Sequence, residues 1–230
     1  HPTDTPWLGT STLRTLALCY VPHTQYVVPA LANMSQLTHL TLSGEFQGLE
    51  HLLEPISAMH SLTFFSLEWF LPKTPAPHTT HLADWIQNLP ASLQSLRLVH
   101  MHQTEEMDWK GFYKFNQLTS LDLEDIGHHL WSDFSRLLPQ LPTTLTFLTL
   151  KAEQMNPDWL ADIPDLPHLT CLSLLECDLS LEECFITLYD KFPELMELKR
   201  FSRKQEEEWI LLQQYRKRLP LTFWATHPLH

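Results

Sequence analysis

Leucine returns along the chain in a six-residue frame, L-x-x-L-x-L. The copies are Leu13/Leu16/Leu18, Leu37/Leu40/Leu42, Leu62/Phe65/Leu67, Leu93/Leu96/Leu98, Leu118/Leu121/Leu123, Leu145/Leu148/Leu150 and Leu169/Leu172/Leu174. A weaker eighth copy has Leu195 and Leu198, with Arg200 in the third slot. Successive starts lie 24, 25, 31, 25, 27, 24 and 26 residues apart, a step that scattered leucines would not keep. The second and third apolar positions alternate with period two, as in a short strand with one buried side, and the first packs at the strand's entry. Each unit then carries an apolar face it cannot bury alone, so units stack and share one continuous core.

Between the expected strands the apolar spacing changes to that of a helix. Leu49, Leu52, Leu53, Ile56 and Met59 follow it, as do Leu82, Trp85, Ile86 and Leu89, and Trp131, Phe134, Leu137 and Leu138. Ser180 with Glu183 forms a capping box that opens another helix. The longest step hosts Leu71-Pro72-Lys73-Thr74-Pro75-Ala76-Pro77, too rich in proline for helix or inner strand, so a protruding loop is expected over about 71–80. Residues 203–218 read as a helix with Glu206–Glu208 early and Arg216–Arg218 late, matching the macrodipole. The expected organisation is a repeat body over 1–200 and a C-terminal helix and tail over 201–230 acting as its cap. No comparable cap precedes Leu13, so the native chain is expected to extend upstream.

The frame resembles that of the leucine-rich repeat family, L-x-x-L-x-L-x-x-N/C-x-L. Leu169, Leu172, Leu174, Cys177 and Leu179 match it completely, whereas the other copies hold Val21, Glu45, Phe70, Met101, Ile126 and Glu153 at the Asn/Cys position. Helical outer segments at this step resemble the ribonuclease-inhibitor-like and cysteine-containing types found in F-box substrate receptors. The segments Leu89-Pro90-Ala91-Ser92-Leu93 and Leu141-Pro142-Thr143-Thr144-Leu145 are also similar to repeats of bacterial effectors. The resemblance implies an α/β solenoid of about eight repeats, with a curved parallel sheet on its concave side and helices on its convex side. It further implies a protein-recognition role, such as the receptor half of a ubiquitin ligase. A structural subunit of a large assembly and a bacterial effector are the alternative readings.

Composition narrows the choice. The 230 residues carry a net charge of −12 and are 43% hydrophobic, which excludes a disordered chain. Residues 1–190 hold 7 basic against 22 acidic side chains, a balance of −15, while residues 191–230 hold 8 against 5. So negative a body repels phosphate backbones, so nucleic-acid binding by the main surface is not expected. Five glycines argue against a phosphate-cradling loop, and no stretch is long and apolar enough to span a membrane. Cys19, Cys171, Cys177 and Cys184 form no C-x-x-C pair and read as reduced, mostly buried thiols. That usage favours a cytoplasmic location, with the nucleus as the alternative.

A search for chemistry finds little. No G-x-G-x-x-G, Walker-type, G-x-S-x-G or H-E-x-x-H motif occurs, and no local nucleophile–base pair stands out. His100-x-His102 and His128-His129 lack a third ligand at zinc spacing and read as surface histidines. No catalytic residue, cofactor or metal ligand is therefore assigned, and a non-enzyme is expected. The functional surface is sought instead on the non-leucine strand positions, which the outer segments leave uncovered. There aromatic residues stand beside charges, the composition of an interface hot spot. The expected partner-binding residues are Phe64, Glu68, Trp69, Arg97, His100, Asp122, Glu124, Asp125 and Phe147. Their partner is expected to be a protein with a basic patch.

Overall fold

The computed structural model describes residues 12–20, 27–44, 49–69, 86–99, 109–124, 137–151, 162–175, 191–201 and 222–224. Each leucine frame becomes a short strand. The strands are β1 (Thr15–Cys19), β2 (His39–Gly44), β3 (Phe64–Trp69), β4 (Ser95–Val99), β5 (Ser120–Glu124), β6 (Phe147–Lys151), β7 (Cys171–Leu175), β8 (Glu197–Phe201) and β9 (Thr222–Trp224). They form one sheet in chain order, and every neighbouring pair is parallel. The register joins equivalent positions of successive frames, so Leu40 pairs with Phe65, Phe65 with Leu96, and Leu96 with Leu121.

That register stacks the leucines into continuous rows. Leu40, Leu42, Phe65, Leu67, Leu96, Leu123, Leu150 and Leu172 are fully buried on one side of the sheet. The leading leucines Leu37, Leu62, Leu93, Leu118, Leu145 and Leu169 are fully buried too. Against them pack apolar residues of the connecting segments at a recurring offset. Met34, Met59, Phe115, Leu166 and Phe192 each lie three residues before a leading leucine, and all are buried.

The same offset closes a turn. The backbone carbonyls of Met34, Met59, Pro90, Phe115, Pro142, Leu166 and Phe192 accept from the N–H of the residue three further on. Only a carbonyl is needed at that position, so the two prolines fit without loss of a bond.

The described parts of the outer segments carry less helix than the expected mostly helical outer side. Described helix is confined to short pieces. These are α1 (Val28–Leu31), a 3-10 turn at Leu49–Leu52 running into α2 (Leu53–Ser57), and 3-10 turns at Trp109–Lys114 and Leu138–Gln140. A proline sits early in two of them, Pro29 in α1 and Pro139 in the last turn. First-turn N–H groups have no intrahelical acceptor, so proline costs little there, but such short pieces cannot build a long ladder. The helical spacing at Leu49–Met59 is met by continuous helical turns over 49–57. Residues 86–88 are helical, and the rest of the segment expected around Leu82–Leu89 lies outside the described residues. Also outside them are Trp131 and Phe134, the Ser180 capping box, the 71–80 loop and the 203–218 helix.

A hydroxyl ladder runs along the strand entries. Thr38, Thr63, Thr119, Thr146 and Thr170 occupy the position after the leading leucine. Each side-chain hydroxyl donates to the backbone carbonyl of the equivalent residue one strand earlier, at 2.9–3.1 Å. The Thr38 carbonyl, for instance, accepts from the Thr63 hydroxyl at 3.1 Å, the Thr63 N–H at 2.9 Å and the Phe64 N–H at 3.0 Å. In β4 the slot belongs to Gln94, whose N–H keeps the bond to Thr63 at 2.8 Å.

At the far end, Thr222–Trp224 pairs in parallel with β8. The tail expected only to cap the stack thus adds a ninth strand, in keeping with the strand preference of Thr, Phe and Trp. At the other end, Tyr20 adopts φ 56° and its N–H donates to the Ser43 carbonyl at 2.7 Å. Gly44, at φ 133°, lies beneath it, and a Cβ there would stand 2.8 Å from the Tyr20 nitrogen. Gly44→Ala therefore combines backbone strain with a backbone clash. It is expected to lower unfolding free energy by about 1–3 kcal/mol, measured by urea denaturation.

Candidate functional site

With the leucines on one side, the alternate strand positions form three rows across the opposite side. Register pairing builds the first as Thr15, His39, Phe64, Ser95, Ser120, Phe147, Cys171, Glu197. The second is Ala17, Thr41, Ser66, Arg97, Asp122, Thr149, Ser173, Lys199, and the third is Cys19, Ser43, Glu68, Val99, Glu124, Lys151, Leu175, Phe201. This arrangement brings Arg97, Asp122 and Glu124 together. Asp122 is the register partner of Arg97, and Glu124 stands two residues along β5 on the same face.

The Arg97 guanidinium is divided between the two acids. Its Nε donates to Asp122 Oδ2 at 3.1 Å and its Nη2 to Glu124 Oε1 at 3.1 Å. The Arg97 side chain is 38% exposed, Asp122 25% and Glu124 22%, so the network is only partly desolvated. Burial alone would lower the Arg97 pKa. The hydrogen bond and charge of Glu124, then those of Asp122, outweigh it and hold the guanidinium above its ordinary value. Asp122 is shifted upward as well, which in a carboxyl disfavours the charged form. Its burial, and then the charge of Glu124, push its carboxyl up to about 6 against the pull of Arg97. One cation between two acids does not fully compensate either, and Asp122 Oδ1 is buried without a hydrogen-bond partner. Near neutral pH the network therefore holds more negative than positive charge.

Aromatic groups flank the ion network. Phe147, two residues before Thr149 on β6, is 51% exposed. Phe64 is half-buried and stacks on His39, with ring centroids 5.6 Å apart and planes inclined by 23°. Glu68 is half-buried and accepts a long 3.4 Å hydrogen bond from the Ser43 hydroxyl.

Of the expected partner-binding residues, Phe64, Glu68, Arg97, Asp122, Glu124 and Phe147 share this face. The Trp69 backbone ends β3 opposite Gly44, while its side chain lies outside the described residues. His100 and Asp125 lie outside them entirely. Ser66, Val99, Cys171 and Ser173 stand in the rows expected to be open, yet they are buried. Small and neutral side chains sink between larger neighbours, so the accessible surface is patchier than its rows suggest. Cys19 is exposed, unlike the buried thiol expected of most cysteines, and Cys171 is buried.

The pattern did not single out as partner-binding Lys151, the register partner of Glu124, or the serines Ser95 and Ser120, which are partners of each other. It also missed the threonine ladder, although a threonine after the leading leucine was visible in most frames. Among the described residues no three His, Cys, Asp or Glu side chains converge as a metal site, and no helix is long and apolar enough to cross a membrane. Comparison with protein-family models returns no match for this chain, and comparison with curated proteins returns none.

Proposed function

We propose that the chain is a leucine-rich repeat solenoid of about eight units, and that its leucine-free sheet face is a non-catalytic docking surface for a protein partner with a basic patch. The observation that carries this reading is the half-exposed ring of Phe147 beside the net-negative network of Arg97, Asp122 and Glu124. Aromatic anchors next to charged groups supply most of the affinity in protein interfaces. The stacked register and the common leucine side support the repeat reading, because successive frames match position by position. The acid excess of the body would speed encounter with a basic surface.

Thr149 lies between Asp122 and Ser173 on this face. Thr149→Trp places bulk at its centre without adding charge or opposing strand geometry. Partners recovered by affinity purification with quantitative mass spectrometry are expected to fall at least tenfold. Tyr113→Ala, at an exposed ring in the segment between β4 and β5, is the control and is expected to retain them. Retention by Thr149→Trp would overturn the assignment of the face.

A further inference from the structure

We infer that this face contains a slot for one arginine side chain, carried by an extended segment of the protein partner and received between Phe64 and Phe147 beside Asp122 and Glu124. The inference deepens the docking reading and rests on it. Across β3 to β6 the first row runs Phe64, Ser95, Ser120, Phe147. Two serines thus separate two rings, and three strand steps set their backbones about 14 Å apart. The serines are the small side chains of this row, and the rings flank them on either side. Phe64 is backed by the stacked imidazole of His39, whereas half of Phe147 faces solvent.

Charge selects what enters. Two residues along from the serines, on the same face, stand Arg97 and Asp122, with Glu124 beyond. Counting Glu68 and Lys151 as well, the described acids of the sheet's central strands outnumber the bases by one. An anionic side chain would meet Asp122 and Glu124, and a wholly apolar one would leave their charge excess unanswered. A cation with an apolar stem satisfies both parts of the site. Arginine fits better than lysine, because its flat guanidinium can stack on the exposed Phe147 ring while its edge donates to a carboxylate. Lys151, opposite Glu124, disfavours a cation on its own side, so entry is directed over Ser120.

The test is an amide chemical-shift titration of the full chain with capped glycine–serine pentapeptides whose central residue is arginine, citrulline or leucine. The arginine peptide is expected to shift Ser95, Ser120, Asp122 and Phe147 in a saturable way. Citrulline has the same shape without the charge and is expected to bind at least tenfold more weakly, with leucine weaker still. Phe147→Ala and Glu124→Gln are each expected to weaken the arginine peptide at least fivefold, with a dispersed amide spectrum confirming the fold of each variant. Equal binding of citrulline and arginine, or shifts confined to other strands, overturns the slot. If the arginine peptide fails while Thr149→Trp still loses the partner, the slot is wrong and the docking face stands. If Thr149→Trp keeps the partner, the docking reading falls and the slot falls with it.

Discussion

Phe65→Ala is expected to lower the unfolding free energy by about 3–5 kcal/mol, the range for removing a buried phenylalanine ring. Phe65 is fully buried in β3, in the leucine row between Leu40 and Leu96, and is the single aromatic residue in that row of β2 to β7. Its row neighbours Leu40 and Leu96 are fully buried and held by their own strand pairing, which leaves them little freedom to fill the space. The loss should therefore sit near the upper end of the range rather than be absorbed by relaxation. Phe65→Leu restores the residue type of the neighbouring frames and should cost much less. Urea denaturation of the two variants checks both statements, and equal losses would show that the row does not pack as described.

Arg97→Met is expected to lower stability by about 1–3 kcal/mol near pH 8, because it leaves Asp122 and Glu124 together without their shared donor. The partial exposure of all three groups keeps the figure below that of a fully buried pair. Its pH dependence has a definite sign. The folded-state pKa of Asp122 is already raised to about 6, above its ordinary 3.8, by burial and by Glu124. Without Arg97 the carboxyl should rise further. A raised acid contributes stability that is present below its unfolded value and lost as pH climbs through its folded one. The deficit of Arg97→Met relative to the parent should consequently shrink on acidification from pH 8 towards pH 4. Denaturation midpoints measured across that range test it, and a deficit that grows on acidification would contradict the described network.

Individual elements show how far the pattern carried. The leucine frame placed β1 through β8, each of which spans the second and third frame positions, since a parallel sheet built from matching frames pairs equivalent positions. The rows followed from the same alternation, and with them the company of Arg97, Asp122 and Glu124. The helical spacing at Leu49–Met59 marked the helical stretch over 49–57, but not that its first four residues are 3-10. Apolar contacts at i, i+3 and i+4 arise in either form, so the spacing alone does not separate a 3-10 turn from an α-turn.

What the linear chain determined about this protein is periodic: strands in order, leucines to one side, and polar and aromatic residues to the other. These follow from nearest-neighbour alternation and a constant step, both of which are local properties of the chain. The tertiary structure alone decided depth and partnership. It sank Ser66 and Val99 into the open rows, left Phe147 half-exposed, split one guanidinium between two acids, orphaned Asp122 Oδ1 and closed the threonine ladder. Each outcome depends on side chains about 25 residues apart meeting across a strand gap, where their relative size and charge, rather than spacing, set which is covered and which remains available.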